Sequence, residues 1–162
     1  MITAQNLVFS KAAAERILNA VLKGIVKAVE LIRRLANGAY QITYRTMFGR
    51  CSIFISRELF KKHFVERRKE EAKHLYASRV ENNWYRVVNP KKGTSYNCYA
   101  YKDSIDCTCE DFFNQVNFLR KGCCKHGYAL LKHLGFDYLS DYIEHHRWAN
   151  NDHEPHPDPD DW

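Results

Sequence analysis

Apolar side chains recur every three or four positions between residues 10 and 36, at Ile17 or Leu18, Val21, Leu22, Ile25, Val29, Ile32 and Leu35. That is the period of one helix face, and Lys23, Lys27, Glu30 and Arg34 fill the opposite stripe. The pattern predicts a long N-terminal helix capped by Ser10, with an earlier cap at Thr3 and a left-handed stop at Asn37-Gly38. Gly24 inside it costs about 1 kcal/mol relative to Ala, which packing of the apolar face, in a core or a dimer seam, can offset. The period then drops to two. Ile42, Tyr44, Thr46 and Phe48 alternate with polar neighbours, Gly49-Arg50 supplies a turn, and residues 51–55 return as a second strand, with Cys51 as a small core residue. Ser56 caps a helix over residues 57–76 whose apolar positions are Leu59, Phe60, His63, Phe64 and Leu75. The charged middle of that helix is expected to face water, so Arg67, Arg68, Lys69 and Lys73 read as a solvated face before they read as phosphate contacts.

The second half opens on strands at residues 84–88, 95–101 and 104–109, separated by Asn89-Pro90-Lys91-Lys92-Gly93 and Lys102-Asp103. If the last loop has two or four residues, Ala100 faces Ile105 and Cys98 faces Cys107. Asp111 is placed to cap a helical turn carrying Phe112, Phe113 and Val116, with Phe118 and Leu119 as further cover. A later helix runs to about Leu134, stops at Gly135 and buries Ala129, Leu130, Leu131 and Leu134. After Tyr142 the chain turns to His, Asn, Asp and Pro, the composition of a tail. The fold class read from this is α+β. Residues 1–76 form a helix-hairpin-helix region, residues 77–140 a strand-rich unit ending in a helix, and residues 141–162 an acidic His/Pro-rich tail.

Candidate chemistry sits in two short pairs, Cys107-Thr108-Cys109 and Cys124-Lys125-His126. Three thiols and an imidazole are the donor set of a structural zinc site. Residues two apart on an extended segment point the same way, which suits Cys107 and Cys109. Two apart within a helix they diverge, so Cys124 and His126 can share an ion only if Cys124 stands at the helix start. There the positive helix terminus favours thiolate, the form a metal needs. A disulfide framework is the first alternative, but nothing resembles a secretory leader and the chain is longer than disulfide-stapled scaffolds usually are. A Cys/His nucleophile is the second, and it lacks a recognisable orienting partner. Cys98 and Cys123 are spare thiols beside the site and read as packing, with substitute ligand or redox partner as minor roles.

The same residues carry a resemblance. Cys107-x-Cys109, a 14-residue spacer, then Cys124-Lys125-His126 and Ala129 resemble the SWIM zinc finger, whose pattern is CxC, a variable spacer and CxH, commonly CKHxxA. The likeness covers roughly residues 78–140. It implies a zinc-binding ββα module of the kind found in SWI/SNF-type ATPases, MuDR-type transposases and recombination factors, regarded as binding DNA or protein.

Charge adds a partner class. Residues 1–140 carry a net +12 and residues 141–162 a net −6, so the folded part is strongly basic and attracts nucleic acid or an acidic protein surface. The tail is expected to cover that basic face. Lys125, Tyr128 and Lys132 fall on one helical stripe, with Arg120 and Lys121 just ahead, and are the expected nucleic-acid contacts. With 45% hydrophobic residues and no stretch of about 18 uninterrupted apolar positions, a folded intracellular protein without a membrane span is expected. No phosphate-cradling glycine loop or paired-carboxylate motif is present, so no catalytic activity is expected. These readings converge on a non-enzymatic protein with one structural Zn2+ that binds DNA or another nucleic acid, accessory to recombination, transposition or repair. The alternative is a protein-interaction adaptor using the finger and the N-terminal helix.

Overall fold

The computed structural model describes residues 7–151, so Thr3 and the tail from residue 152 lie outside the described residues. The chain divides into two compact units, one comprising the chain up to Glu70 together with Asn114–Lys121, the other Glu71–Phe113 together with the chain from Gly122.

In the first unit, helix α1 (Lys11–Val21) precedes strands β1 (Ala28–Arg34), β2 (Tyr40–Thr46) and β3 (Gly49–Ile55), and helix α2 (Arg57–Ala72) follows. The strands form an antiparallel sheet in the order β1-β2-β3. Ser10 caps α1 through its Oγ, which accepts the Ala13 N–H, and Ser56 does the same for α2 through Leu59. Ala14, Leu18, Ile42 and Phe60 form the driest part of the core. The ring of Phe60 meets those of Phe9 and Tyr40 edge-on at 5.6 and 5.4 Å.

The long helix expected over residues 10–36 is instead a helix and a strand. Gly24 takes a left-handed φ of +81°, and the Asn19 side chain accepts the Val26 N–H, closing the reversal. Beyond it, a β-bulge imitates helical spacing. Val29 pairs with Tyr44, but Leu31 pairs with Thr43 and Ile32 with Ile42, so Glu30 is the extra residue. Val29 and Ile32, three apart, therefore face the same side of the sheet, as they would on a helix. Glu30 turns outward and bridges Arg45 and Arg50 at 2.7 and 2.8 Å.

The hairpin of residues 40–55 is present, with its turn at Met47-Phe48 rather than at Gly49-Arg50. Thr46 Oγ1 holds that turn by accepting the Phe48 N–H and donating to the Gly49 carbonyl. Cys51 is exposed on the edge strand β3, not in the core, and among the described residues no fourth strand pairs with β3. The second helix ends at Ala72, short of the expected residue 76, and Leu59 on it is exposed.

The second unit contains strands β4 (Tyr76–Arg79), β5 (Trp84–Asn89), β6 (Thr94–Ala100) and β7 (Ile105–Cys107), an antiparallel sheet in sequence order. Four strands stand where three were expected. Tyr76 opens β4, and Val80 and Glu81 N–H both reach the Trp84 carbonyl to close the turn into β5. Helix α3 (Glu110–Leu119) follows β7, its residues from Asn114 onward counted with the first unit, and α4 (Lys125–His133) packs on all four strands. Leu130, Leu131 and Ala129 of α4 are buried, and Gly135 stops it at a φ of +89°. Helix α5 (Leu139–Asn151) occupies the start of what reads as a tail. Tyr142 is buried there against Phe136 and His146, which supplies the burial that composition alone does not advertise. Among the described residues, no helix is long and apolar enough to cross a membrane.

Candidate metal centre

Four side chains from two separate stretches of the second unit meet in its interior. Cys107 is the last residue of β7 and Cys109 immediately precedes α3. Cys124 is the N-cap of α4, and His126 lies in that helix's first turn. The four-residue loop at 101–104, closed by Tyr101 N–H to Ser104 O, sets the β6–β7 register and with it the position of Cys107. All four residues are buried, and their ligand atoms lie within 4.8 Å of one another. His126 Nδ1 stands 3.7 Å from Cys107 Sγ and 3.8 Å from Cys124 Sγ. A tetrahedral ion with bonds of about 2.0–2.3 Å sets its ligands roughly 3.5–3.8 Å apart, so this nitrogen is positioned to coordinate. The donor set fits a metal ion.

Two helix starts face the cluster. Cys124 Sγ accepts the Gly127 N–H and Cys109 Sγ accepts the Phe112 N–H, both at 3.4 Å. Cys109 thus takes the capping place that Asp111 was expected to hold, and its carbonyl receives the Phe113 N–H. Each sulfur so placed meets amide dipoles that favour negative charge. Without a cation the three sulfurs share their protons unequally. Hydrogen bonds from Cys107 and then Cys124 hold Cys109 far below the ordinary thiol range. Hydrogen bonding to Cys109 pushes Cys107 far up, and bonding to Cys107 and Cys109, together with burial, pushes Cys124 far up. The cluster alone favours one thiolate; a divalent cation that took all three sulfurs would displace the remaining protons.

The surroundings are packed. Tyr96 lays its ring on His126 at 4.4 Å, and Ile105 and Leu130 are fully buried beside the site's own elements. Of the expected apolar cover, Phe112 is buried, while Phe113, Val116 and Phe118 are exposed. Gln115 is the buried polar residue of α3, which the sequence pattern did not single out. Cys98 pairs across the sheet with Cys107, as the register argument required, and is fully buried without joining the four-atom cluster. None of the six cysteines is in a disulfide.

Cys123 has a steric role. A Cβ on Gly127 would come within 2.9 Å of Cys123 Sγ, closer than real contacts allow. Gly127→Ala is therefore expected to lower stability by about 1–3 kcal/mol, although Ala is normally worth about 1 kcal/mol over Gly inside a helix. In a Cys123→Ala background the same change becomes neutral or stabilising. Thermal unfolding of the two single variants and the double variant measures this; an equal loss in both backgrounds contradicts the contact.

The expected nucleic-acid stripe is reshaped. Tyr128 is 9% exposed and belongs to the core, because the α4 face it lies on is packed against the sheet. Lys125 Nζ lies 3.4 Å from Glu71 Oε2. Lys132, Arg120 and Lys121 are exposed, and Arg120 takes a positive φ of 62° just after α3.

The chain significantly matches no protein-family model, no curated protein and no solved structure.

Proposed function

We propose that this is a non-enzymatic binding protein of the SWIM zinc-finger type, holding one structural Zn2+ on the Sγ atoms of Cys107, Cys109 and Cys124 and on Nδ1 of His126. The observation that carries the reading is the buried Cys3His cluster with its ligand atoms within 4.8 Å of one another. Four protein donors complete a tetrahedral zinc sphere and leave no position for substrate, so the ion's contribution is to join β7 and the start of α3 to the start of α4. The placement of CxC at a strand end and CxH at a helix start supports the SWIM assignment.

The ligand of the module is nucleic acid, in this reading, and the biological setting is the recombination, transposition or repair machinery that the resemblance implies. The net +12 over residues 1–140 supports it. With Tyr128 buried and Lys125 beside Glu71, the exposed candidates left are Lys132 in the second unit and Arg120 and Lys121 in the first, each taken as a separate phosphate contact. DNA affinity measured across a salt series tests it. Each phosphate contact contributes about 0.9 to the negative slope of log affinity on log salt, and a slope of about −3 or steeper is expected, reduced by Lys121→Glu and Lys132→Glu. A slope near zero removes nucleic acid as the partner.

That outcome favours the second reading, a protein adaptor. Phe48 and Met47 at the β2–β3 turn are 84% and 68% exposed, and Phe54 is exposed on β3. The two adjacent apolar side chains exposed at that turn suit a protein surface better than a phosphate backbone.

A further inference from the structure

We infer that a basic cavity in the first unit is a binding site for a phosphate monoester. The cavity has a volume of about 290 Å³. That is the lower end of the range for small-molecule sites and suits a phosphoryl group with a small organic part. It lies between α1 and α2, and Arg16, His63, Arg67 and Arg68 line it together with Ser10 and Ala12. Among the described residues, none of those lining it is acidic.

Three features prepare the site for a dianion. Arg68 is fixed: its guanidinium stacks on the Phe64 ring at 3.4 Å and donates to the Phe64 carbonyl, so little side-chain freedom remains to be lost on binding. The first turn of α1 opens on the cavity. Ser10 Oγ takes the Ala13 N–H and its carbonyl the Ala14 N–H, which leaves the amides of Lys11 and Ala12 outside those capping bonds, at the positive end of the helix. The field is positive where His63 sits. Burial, then the charges of Arg16 and Arg67, hold that imidazole below its ordinary value and so mostly neutral at pH 7. A neutral imidazole can still donate one N–H. Leu7, Val8 and Phe64 give the cavity an apolar wall that would accept the organic part of an ester and that bare phosphate would not use.

This site does not depend on the metal centre or on the nucleic-acid reading. The test is titration of the full chain with a nucleoside 5′-monophosphate, the matching unphosphorylated nucleoside, and a short oligonucleotide with and without a 5′-phosphate. Saturable binding of the nucleoside monophosphate is expected and none of the nucleoside; the 5′-phosphorylated oligonucleotide is expected to bind more tightly than its unphosphorylated counterpart, whose own binding reports the separate nucleic-acid face. Which of the two phosphorylated probes binds more tightly distinguishes a free small molecule from a strand end. Arg16→Gln and Arg67→Gln should each weaken it about tenfold or more, with partial recovery in Arg67→Lys, while Arg86→Gln, an exposed cation on β5, leaves it unchanged. Backbone amide shifts in the unsubstituted protein should concentrate at residues 10–13 and 63–68, a readout independent of any variant. No saturable binding of the nucleoside monophosphate, equal binding of each probe with and without its phosphate, or an equal loss in Arg86→Gln would overturn the assignment.

Discussion

Removing the proposed zinc, by Cys124→Ala or by a strong chelator at neutral pH, is expected to unfold the second unit. A structural zinc site contributes roughly 10–16 kcal/mol in small zinc-dependent folds, as much as the whole stability of a typical domain, about 5–15 kcal/mol. Cys124 caps α4 through the Gly127 N–H and is at the same time one of the four candidate ligands. Losing it costs the ion and about 1 kcal/mol of cap. Trp84 on β5 and Trp148 on α5 both lie in this unit, so tryptophan fluorescence reports on it directly. Expected are a red-shifted emission and loss of the cooperative transition, both reversed when zinc is returned to the chelated protein. Cys98→Ala, which leaves all four candidate ligands in place, should retain the metal and cost about 1–2 kcal/mol of packing.

Phe60→Ala should be the most damaging single change in the first unit. The ring is fully buried and makes edge contacts with Phe9 and Tyr40. Truncating such a side chain costs about 3–5 kcal/mol, the lost transfer energy plus the cavity left behind. No tryptophan lies among the described residues of this unit, so amide hydrogen exchange is the suitable probe. Protection in β2 should fall by roughly two to four orders of magnitude. Leu59→Ala, next along α2 but exposed, should change it by less than about 0.5 kcal/mol. Similar losses from both would mean that the core is placed wrongly.

Local chemistry was the readable part of this chain. Ser10 and Ser56 announce their helices because a hydroxyl before an apolar run satisfies an orphan amide. The meeting of Cys98 with Cys107 follows from loop length and the two-residue period of a strand alone. The ligand pairs follow from the same period on one side and from helix divergence on the other. What failed depends on partners distant in sequence. Val29 and Ile32 share a face because a bulge at Glu30 shifts the register against β2, and a three-residue spacing cannot by itself distinguish that from a helix. Tyr76 to Arg79 is too short to show alternation, and it becomes a strand only by pairing with β5. Helix α5 owes its order to Tyr142 packing on Phe136, a contact hidden within a polar composition. Tyr128 lies on the expected basic stripe by angle, yet the breadth of the face that α4 buries against four strands takes it into the core.

X-ray absorption at the zinc edge, on protein purified from metal-replete medium, examines the centre itself. The account predicts one zinc per chain, bound by three sulfurs at about 2.3 Å and one nitrogen at about 2.0 Å. It also predicts loss of one sulfur from the shell in Cys109→Ser and no change in Cys98→Ser. Protein that folds without zinc, or a shell built mainly of oxygen, would contradict it.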